Sequence, residues 1–317
     1  MELAAVVDPD LEARRRVKTV PGYGVLEEAL ESVECDAVLV ASPPGTHHVV
    51  AKVALEAGRH VLCEKPLATT LRDAFDLLET AEGAERILMV SQNYRYNPPF
   101  RAVERLVMDG ELGELASIKI SCRRDTRAQF APDDFRYSMR HPYALDMSIH
   151  HFDLIRAATG RDVHSVYARS WRVPDSEYVH HPAVAALLDL EGGVPVVYEG
   201  DWATHQPETS WNGEWEIVGE AGRILWSGSK EDRGTGEVVF ERWGEEARLV
   251  EQNDLEFVER EATLRSLRVA IEGGEPPETI AADNVKSLAA MLGCVSSIES
   301  GEPVDVAALL AARGAKL

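Results

Sequence analysis

The stretch DAVLVASPPGTHHVVAKVALEAGRHVLCEKPL, running from Asp36 to Leu67, decides the fold. Ala37 to Ala41 is a continuous apolar run rich in valine, the pattern of a strand covered on both faces. Ser42-Pro43-Pro44-Gly45-Thr46 interrupts it, because proline has no amide proton for a ladder and fixes its own φ. His47 to Ala57 repeats apolar residues at helical spacing and stops at Gly58. His60 to Cys63 is a second short strand, and its carboxyl end delivers Glu64-Lys65-Pro66. Two strands joined through a helix in this way lie parallel, with the helix as the crossover.

The alternation extends in both directions. Leu3 to Val7 reads as a short strand that exits at Asp8-Pro9, and Asp10 to Arg16 as a charged helix. Val17 to Val20 is a candidate strand before the turn Pro21-Gly22-Tyr23-Gly24, and Val25 to Glu31 suits a helix. Leu71 to Glu82 is a predicted helix and Ile87 to Val90 a predicted strand. After about Gly113 the pattern changes. Ser117 to Cys122 is strand-like, and a helix is predicted from Ala144 to Thr159. Ala183–Leu190 and Val194–Tyr198 are separated by Glu191-Gly192-Gly193, and Trp215–Val218 and Ile224–Trp226 flank Glu220-Ala221-Gly222. Tight glycine turns between β-rich runs mark antiparallel hairpins. Amphipathic helices over Leu255–Glu272 and Asp283–Glu299 close the chain. The expected architecture is an α/β domain over residues 1–96, with a doubly wound parallel sheet. An α+β domain over residues 97–317 follows, built on a mostly antiparallel open sheet.

Composition narrows the function. The 317 residues carry a net charge of −21, which repels nucleic acid and anionic membrane. No stretch approaches the roughly 20 apolar residues of a membrane helix. Met1-Glu2-Leu3-Ala4 has neither the basic region nor the cleavage pattern of a secretory signal. Cys35, Cys63, Cys122 and Cys294 are too widely spaced for a zinc knuckle or a disulfide framework, which suggests reduced thiols in a cytoplasmic protein. No ligand spacing for a metal is present, so no metal is expected.

Several residues could carry chemistry. In open α/β sheets ligands sit beyond the carboxyl ends of the strands, where Asp8, Ser42 and Glu64-Lys65 fall. An acid at Asp8 could accept both hydroxyls of an adenosine ribose, or could be a turn aspartate before Pro9. Arg14, Arg15 and Arg16 could attract a 2′-phosphate, or could form the solvated face of a short helix. The Lys65 ammonium can polarise a carbonyl or hydroxyl oxygen, and an X-Pro bond tolerates the cis form. On a continuous helix Asp146 and His150 share a face, with Asp153 near the same side. A carboxylate beside an imidazole suits proton transfer near neutral pH, and equally suits a helical ion pair.

Taken together, these segments resemble the Gfo/Idh/MocA oxidoreductases, over nearly the whole chain. The likeness rests on Asp36–Leu67, Asn93-Tyr94-Arg95-Tyr96-Asn97-Pro98, Asp146–Asp153 and Asp283–Ser296, in that order. The resemblance implies a Rossmann-type cofactor domain and hydride transfer between a nicotinamide and a carbinol carbon of a sugar, inositol or related polyol. By resemblance Lys65 lies beside the nicotinamide and the reacting oxygen. His150 is the general acid/base, and Asp146 binds a neighbouring hydroxyl or orients His150. Asp8, Ser42, Pro43, His47, Glu64, Asn93 and Arg95 match cofactor-side positions. Asp8 favours NAD, with NADP as the alternative. A homodimer or homotetramer through the second domain's sheet is implied. The departure is at the front: the family's first strand and Gly-x-Gly-x-x-Gly turn precede the acid by about 30 residues. Asp8 is preceded here by only seven residues, and Gly22-Tyr23-Gly24 falls after it. The expectation is therefore an enzyme whose first strand and glycine turn lie upstream of Met1. A non-catalytic ligand-binding relative that has shed cofactor binding is the alternative.

Overall fold

In the computed structural model, residues 1–228, 231 and 236–313 are described, and they form two compact units. Unit 1 comprises Met1–Ser91 and Arg260–Val285, and unit 2 comprises Gln92–Glu259 and Lys286–Leu317. The expected division at residue 96 is thus displaced by a few positions, and a C-terminal segment returns to unit 1.

Unit 1 begins with β1 (Val6–Val7), α1 (Leu11–Arg16), β2 (Gly22–Tyr23) and α2 (Leu26–Ser32). Asp10 starts α1 by accepting the Glu12 amide, satisfying one of the free donors of the first turn. The strand expected at Val17–Val20 is instead at Gly22–Tyr23, where Val6 pairs with Gly22 and Val7 with Tyr23. Then come β3 (Ala37–Val40), a 3₁₀ turn at Pro44–Thr46, α3 (His47–Glu56), β4 (His60–Cys63), α4 (Leu71–Gly83) and β5 (Leu88–Val90). β3, β4 and β5 are parallel neighbours in that order. Among the described residues the parallel strands therefore fall into two sheets, β1–β2 and β3–β4–β5. Among the described residues β3 is an edge strand paired with β4, and Leu39 is 56% exposed, so β3 is not the doubly covered strand its sequence suggested.

Unit 2 continues with α5 (Pro98–Met108), β6 (Leu115–Arg123), α6 (Pro142–Asp146) and α7 (Ser148–Thr159). The single helix predicted over 144–159 is therefore two. At the junction the Ser148 hydroxyl donates to the Ala144 carbonyl, an i to i−4 side-chain bond of the kind that bends helices. The strands that follow are β7 (Val163–Trp171), β8 (Ala183–Leu190), β9 (Pro195–Asp201), β10 (Glu214–Gly219), β11 (Gly222–Ser227), β12 (Glu237–Arg242) and β13 (Arg248–Leu249). Next come α8 (Glu259–Ile271), α9 (Ala281–Ser300), β14 (Val304–Asp305) and α10 (Val306–Ala311). Among the described residues the sheet has nine strands, ordered β13-β12-β11-β10-β6-β9-β8-β7-β14, and only β6–β9 is parallel.

The returning segment belongs to unit 1 for a packing reason. Leu267 of α8 is buried with Leu62 and Met89, with Ile271 against them. The Thr279 carbonyl accepts the Val90 amide at 2.9 Å. In unit 2 one sheet face is buried through Ile118, Ile120, Val196, Tyr198, Leu188, Val166, Ile217, Trp226 and Phe240. Phe100 of α5 packs on Trp226 with centroids 6.4 Å apart. On the opposite face Tyr167, Leu187 and Val197 lie side by side on adjacent strands and are 38%, 50% and 51% exposed.

Candidate functional site

Asp8, Ser42 and Glu64, expected on the cofactor side, follow the carboxyl ends of β1, β3 and β4 in unit 1. Asp8 follows β1, and its Oδ1 accepts the Asp10 amide at 2.8 Å. Its backbone carbonyl takes Nη1 of Arg14 at 2.8 Å. Arg14 also occupies the space beside the only Gly-x-Gly of this region. A Cβ on Gly22 would lie 3.2 Å from Arg14 Cβ, and one on Gly24 would lie 3.0 Å from its Nη1. Those glycines accommodate an arginine and offer no cradle for a phosphate. Residues 1–317 contain no Gly-x-Gly-x-x-Gly turn of the kind that holds a dinucleotide's pyrophosphate.

Two loops of unit 1 are tied together by His47, which is 1% exposed at the start of α3. Its Nδ1 faces the Pro66 carbonyl and its Nε2 the Ser42 carbonyl, each at 2.7 Å. Expected at the cofactor, His47 instead uses both ring nitrogens to brace the Ser42 turn against the end of β4. Thr46 donates its hydroxyl to Ser42 Oγ at 2.7 Å, and Pro43 is exposed beside it. The Lys65–Pro66 bond is cis, and Glu64 and Lys65 are half-buried. Ser91 donates to Glu64 Oε1 at 3.2 Å.

In unit 2 the decisive group is built around α7. His150 is 6% exposed, and its Nδ1 lies 3.0 Å from Oε1 of Gln92, which is 1% exposed. Tyr94 stacks on the imidazole, with centroids 4.3 Å apart and planes 13° from parallel. Tyr94 sits in the 3₁₀ turn Asn93–Tyr96, which also buries Asn93 and Arg95. Arg95 clasps Asp153 through Nε at 2.6 Å and Nη2 at 2.8 Å, and Ser287 of α9 donates to Asp153 Oδ1 at 2.8 Å. Because Asp153 is on the same helix as His150, the clasp holds the turn against the histidine. Arg95 therefore shapes the histidine's surroundings.

Asp146 ends α6 and is held by Nε of Arg136 at 2.7 Å. Arg136 also reaches Asp134 at 3.1 Å and lies over the rings of Phe130 and Phe135. The ring partner on His150 Nδ1 is Gln92. Gln92, Tyr94, Arg136 and Ser287 were not singled out from sequence. Gln92 directly precedes the Asn93-Tyr94-Arg95-Tyr96 motif, so it was within reach. Arg136 and Ser287 lie 10 and 134 residues from their partners, and nothing local announces them.

Behind the site, His151 is fully buried between the Tyr198 hydroxyl at 2.8 Å and the Trp211 carbonyl at 3.0 Å. Burial lowers its pKa to about 4, so it is neutral near pH 7. A carbonyl only accepts, so Nε2 carries the proton and Nδ1 accepts from Tyr198. Trp202 and His205 line a small concavity with Arg127, Glu177 and Tyr178. Among the described residues no group of three or more His, Cys, Asp or Glu could hold a metal ion, and no helix is long and apolar enough to cross a membrane.

Two family models match: the oxidoreductase family's NAD-binding Rossmann fold over residues 1–92 and the GFO/IDH/MocA C-terminal domain over residues 100–225. The chain belongs to the GFO/IDH/MocA oxidoreductase family. Myo-inositol 2-dehydrogenase of Thermotoga maritima is 27% identical over 303 residues, covering 93% of this chain and 87% of its own. 1,5-Anhydro-D-fructose reductase of Ensifer adhaerens is 25% identical over 316 residues, covering 96% and 91%. The fold matches that of an oxidoreductase from Agrobacterium radiobacter, crystallised with NAD+, L-tartaric acid and magnesium. Its TM-score is 0.84 at 24% identity, over 96% of this chain and 91% of that one. The family match supports NAD as cofactor and an inositol- or sugar-dehydrogenase-like oxidoreductase.

Proposed function

We propose that the protein is an NAD-dependent dehydrogenase that oxidises, or in reverse forms, a CH–OH group of a sugar, inositol or related polyol. The observation that carries this reading is the setting of His150: a buried imidazole whose Nδ1 meets Gln92 and whose face is stacked on Tyr94, in a chain of this family. NAD, when bound, supplies the hydride acceptor. The chain's own residues handle the proton and the charge. A neutral imidazole accepts the hydroxyl proton near pH 7 without a large pKa shift, which assigns His150 as general base. Lys65 is assigned to stabilise charge developing on the reacting oxygen. Asp8 is assigned to the adenosine ribose, with Ser42, Pro43 and Glu64 beside the cofactor. Asp146 with Arg136 is assigned to a substrate hydroxyl.

Turnover of a polyol panel, read from formation of reduced cofactor, tests the assignment. His150→Ala should lower turnover about 10²- to 10⁴-fold with NAD affinity little changed. Near-normal turnover in His150→Ala, alongside an inactive Lys65→Ala, would make the lysine the base.

The protein is also proposed to pair with a second copy through the outer face of the nine-stranded sheet. Support comes from the apolar row Tyr167, Leu187 and Val197, continued by the Lys119–Glu216 ion pair at 2.9 Å. Leu187→Glu should shift the protein to monomer in light scattering. An unchanged mass would place the interface elsewhere.

A further inference from the structure

Resting on the dehydrogenase reading for its chemistry, we infer that Gln92 is a positioning residue that fixes His150 in one tautomer. The proton sits on Nδ1, and Nε2 is the atom that takes the substrate's proton. An amide oxygen has no hydrogen to give, so a contact of 3.0 Å between Gln92 Oε1 and His150 Nδ1 requires Nδ1–H to donate. In the neutral ring the lone pair is then confined to Nε2. With both side chains nine-tenths buried or more, water does not compete for that hydrogen bond. Tyr94 fixes the plane of the ring, and the Arg95–Asp153 clasp fixes the 93–96 turn that follows Gln92. A base whose orientation is set by a third group is preorganised for proton transfer.

The other end of the amide points to a ligand. Gln92 Nε2 is buried and has no hydrogen-bond partner among the described residues. A buried donor left unpaired is costly, and the cost disappears when an acceptor arrives. The acceptor that suits it is a hydroxyl oxygen of a polyol next to the reacting carbinol. Gln92 thereby links recognition of one hydroxyl to presentation of the base for its neighbour.

The test uses the protein labelled with ¹⁵N-histidine, with the His150 signals assigned by comparison with His150→Gln. Long-range ¹H–¹⁵N correlations distinguish the two neutral tautomers without requiring activity. The wild type should show a protonated Nδ1, and Gln92→Leu should lose that preference. Gln92→Glu places a carboxylate on the same nitrogen and should raise the His150 pKa by about 1–3 units. The acidic limb of the kcat/KM profile should move to higher pH by the same amount. A merely structural role would lower activity alike at every pH. Tyr94 and the charged groups on the adjoining elements, Arg95, Asp153, Arg156 and the Arg136–Asp146 pair, are unchanged between the proteins, so the difference reports position 92. A protonated Nε2 in the wild type, or an unmoved titration in Gln92→Glu, overturns the inference. A tautomer that follows Gln92 in a protein that turns over no polyol leaves the inference standing and refutes the dehydrogenase reading instead.

Discussion

Replacing Asp153 by asparagine deletes one charge from the centre of unit 2 while keeping the side chain's shape. The Arg95 and Asp153 side chains are 8% and 1% exposed. Losing one member of such a pair strands the other's charge away from water, at a cost of about 3–5 kcal/mol. Asp153 Oδ1 also accepts from Ser287 at 2.8 Å, so a further bond worth about 1 kcal/mol is disturbed. The expected loss is therefore at the upper end, about 4–5 kcal/mol. A unit of this size loses about 2–4 °C of Tm per kcal/mol, so the melting point should fall by about 8–20 °C. Urea unfolding followed by tryptophan fluorescence, with thermal melts by circular dichroism, measures both. Arg95→Met combined with Asp153→Leu removes both charges and should recover most of the loss. A single variant within about 1 kcal/mol of wild type, or a double variant that loses the sum of its parts, would refute the claim that charge burial sets the cost.

Other outcomes follow from the same structure. His151 is held below its unfolded value by burial, at about 4. Below about pH 6.5 the unfolded chain takes up a proton that the folded one refuses, so stability is full above that pH and is lost as pH falls towards 4. The loss should total about 3 kcal/mol, and His151→Gln should flatten the profile between those limits. At Gly200 an added Cβ would stand 2.0 Å from Cε1 of Tyr143, so Gly200→Ala must displace a buried ring. It should cost about 1–3 kcal/mol in urea unfolding, while Gly45→Ala, with open space around its Cβ, should cost under about 1.

The sequence reached the parallel strands most surely where local signals agreed. His60–Cys63 was placed to the residue, because β-rich composition, the preceding glycine and the following proline all point the same way. Three expectations differ from the structure, two of them for non-local reasons. Gly22–Tyr23 became a strand through pairing with Val6–Val7, against the turn propensity of its own glycines. Residues 144–159 form the end of one helix and the whole of a second, with the Ser148 hydroxyl bonded to the Ala144 carbonyl at the junction. The first unit recruited residues 260–285 because Leu267 completes a core that Leu62 and Met89 begin, which no local pattern announces. At the site, spacing alone marked His150, and one of its hydrogen-bond partners was not legible there. Helical periodicity nominated Asp146, while the Gln92 Oε1 that meets His150 Nδ1 lies 58 residues away in sequence.

The central claim is hydride transfer from a carbinol carbon to NAD. Polyols deuterated at carbon, myo-inositol and glucose first, supplied with NAD+, allow the transfer to be followed by mass spectrometry of the reduced cofactor. The account predicts one deuterium on the nicotinamide ring, formed with wild type and reduced about 10²-fold or more with His150→Ala. Reduced cofactor without deuterium, or equal labelling by the His150→Ala variant, would contradict it.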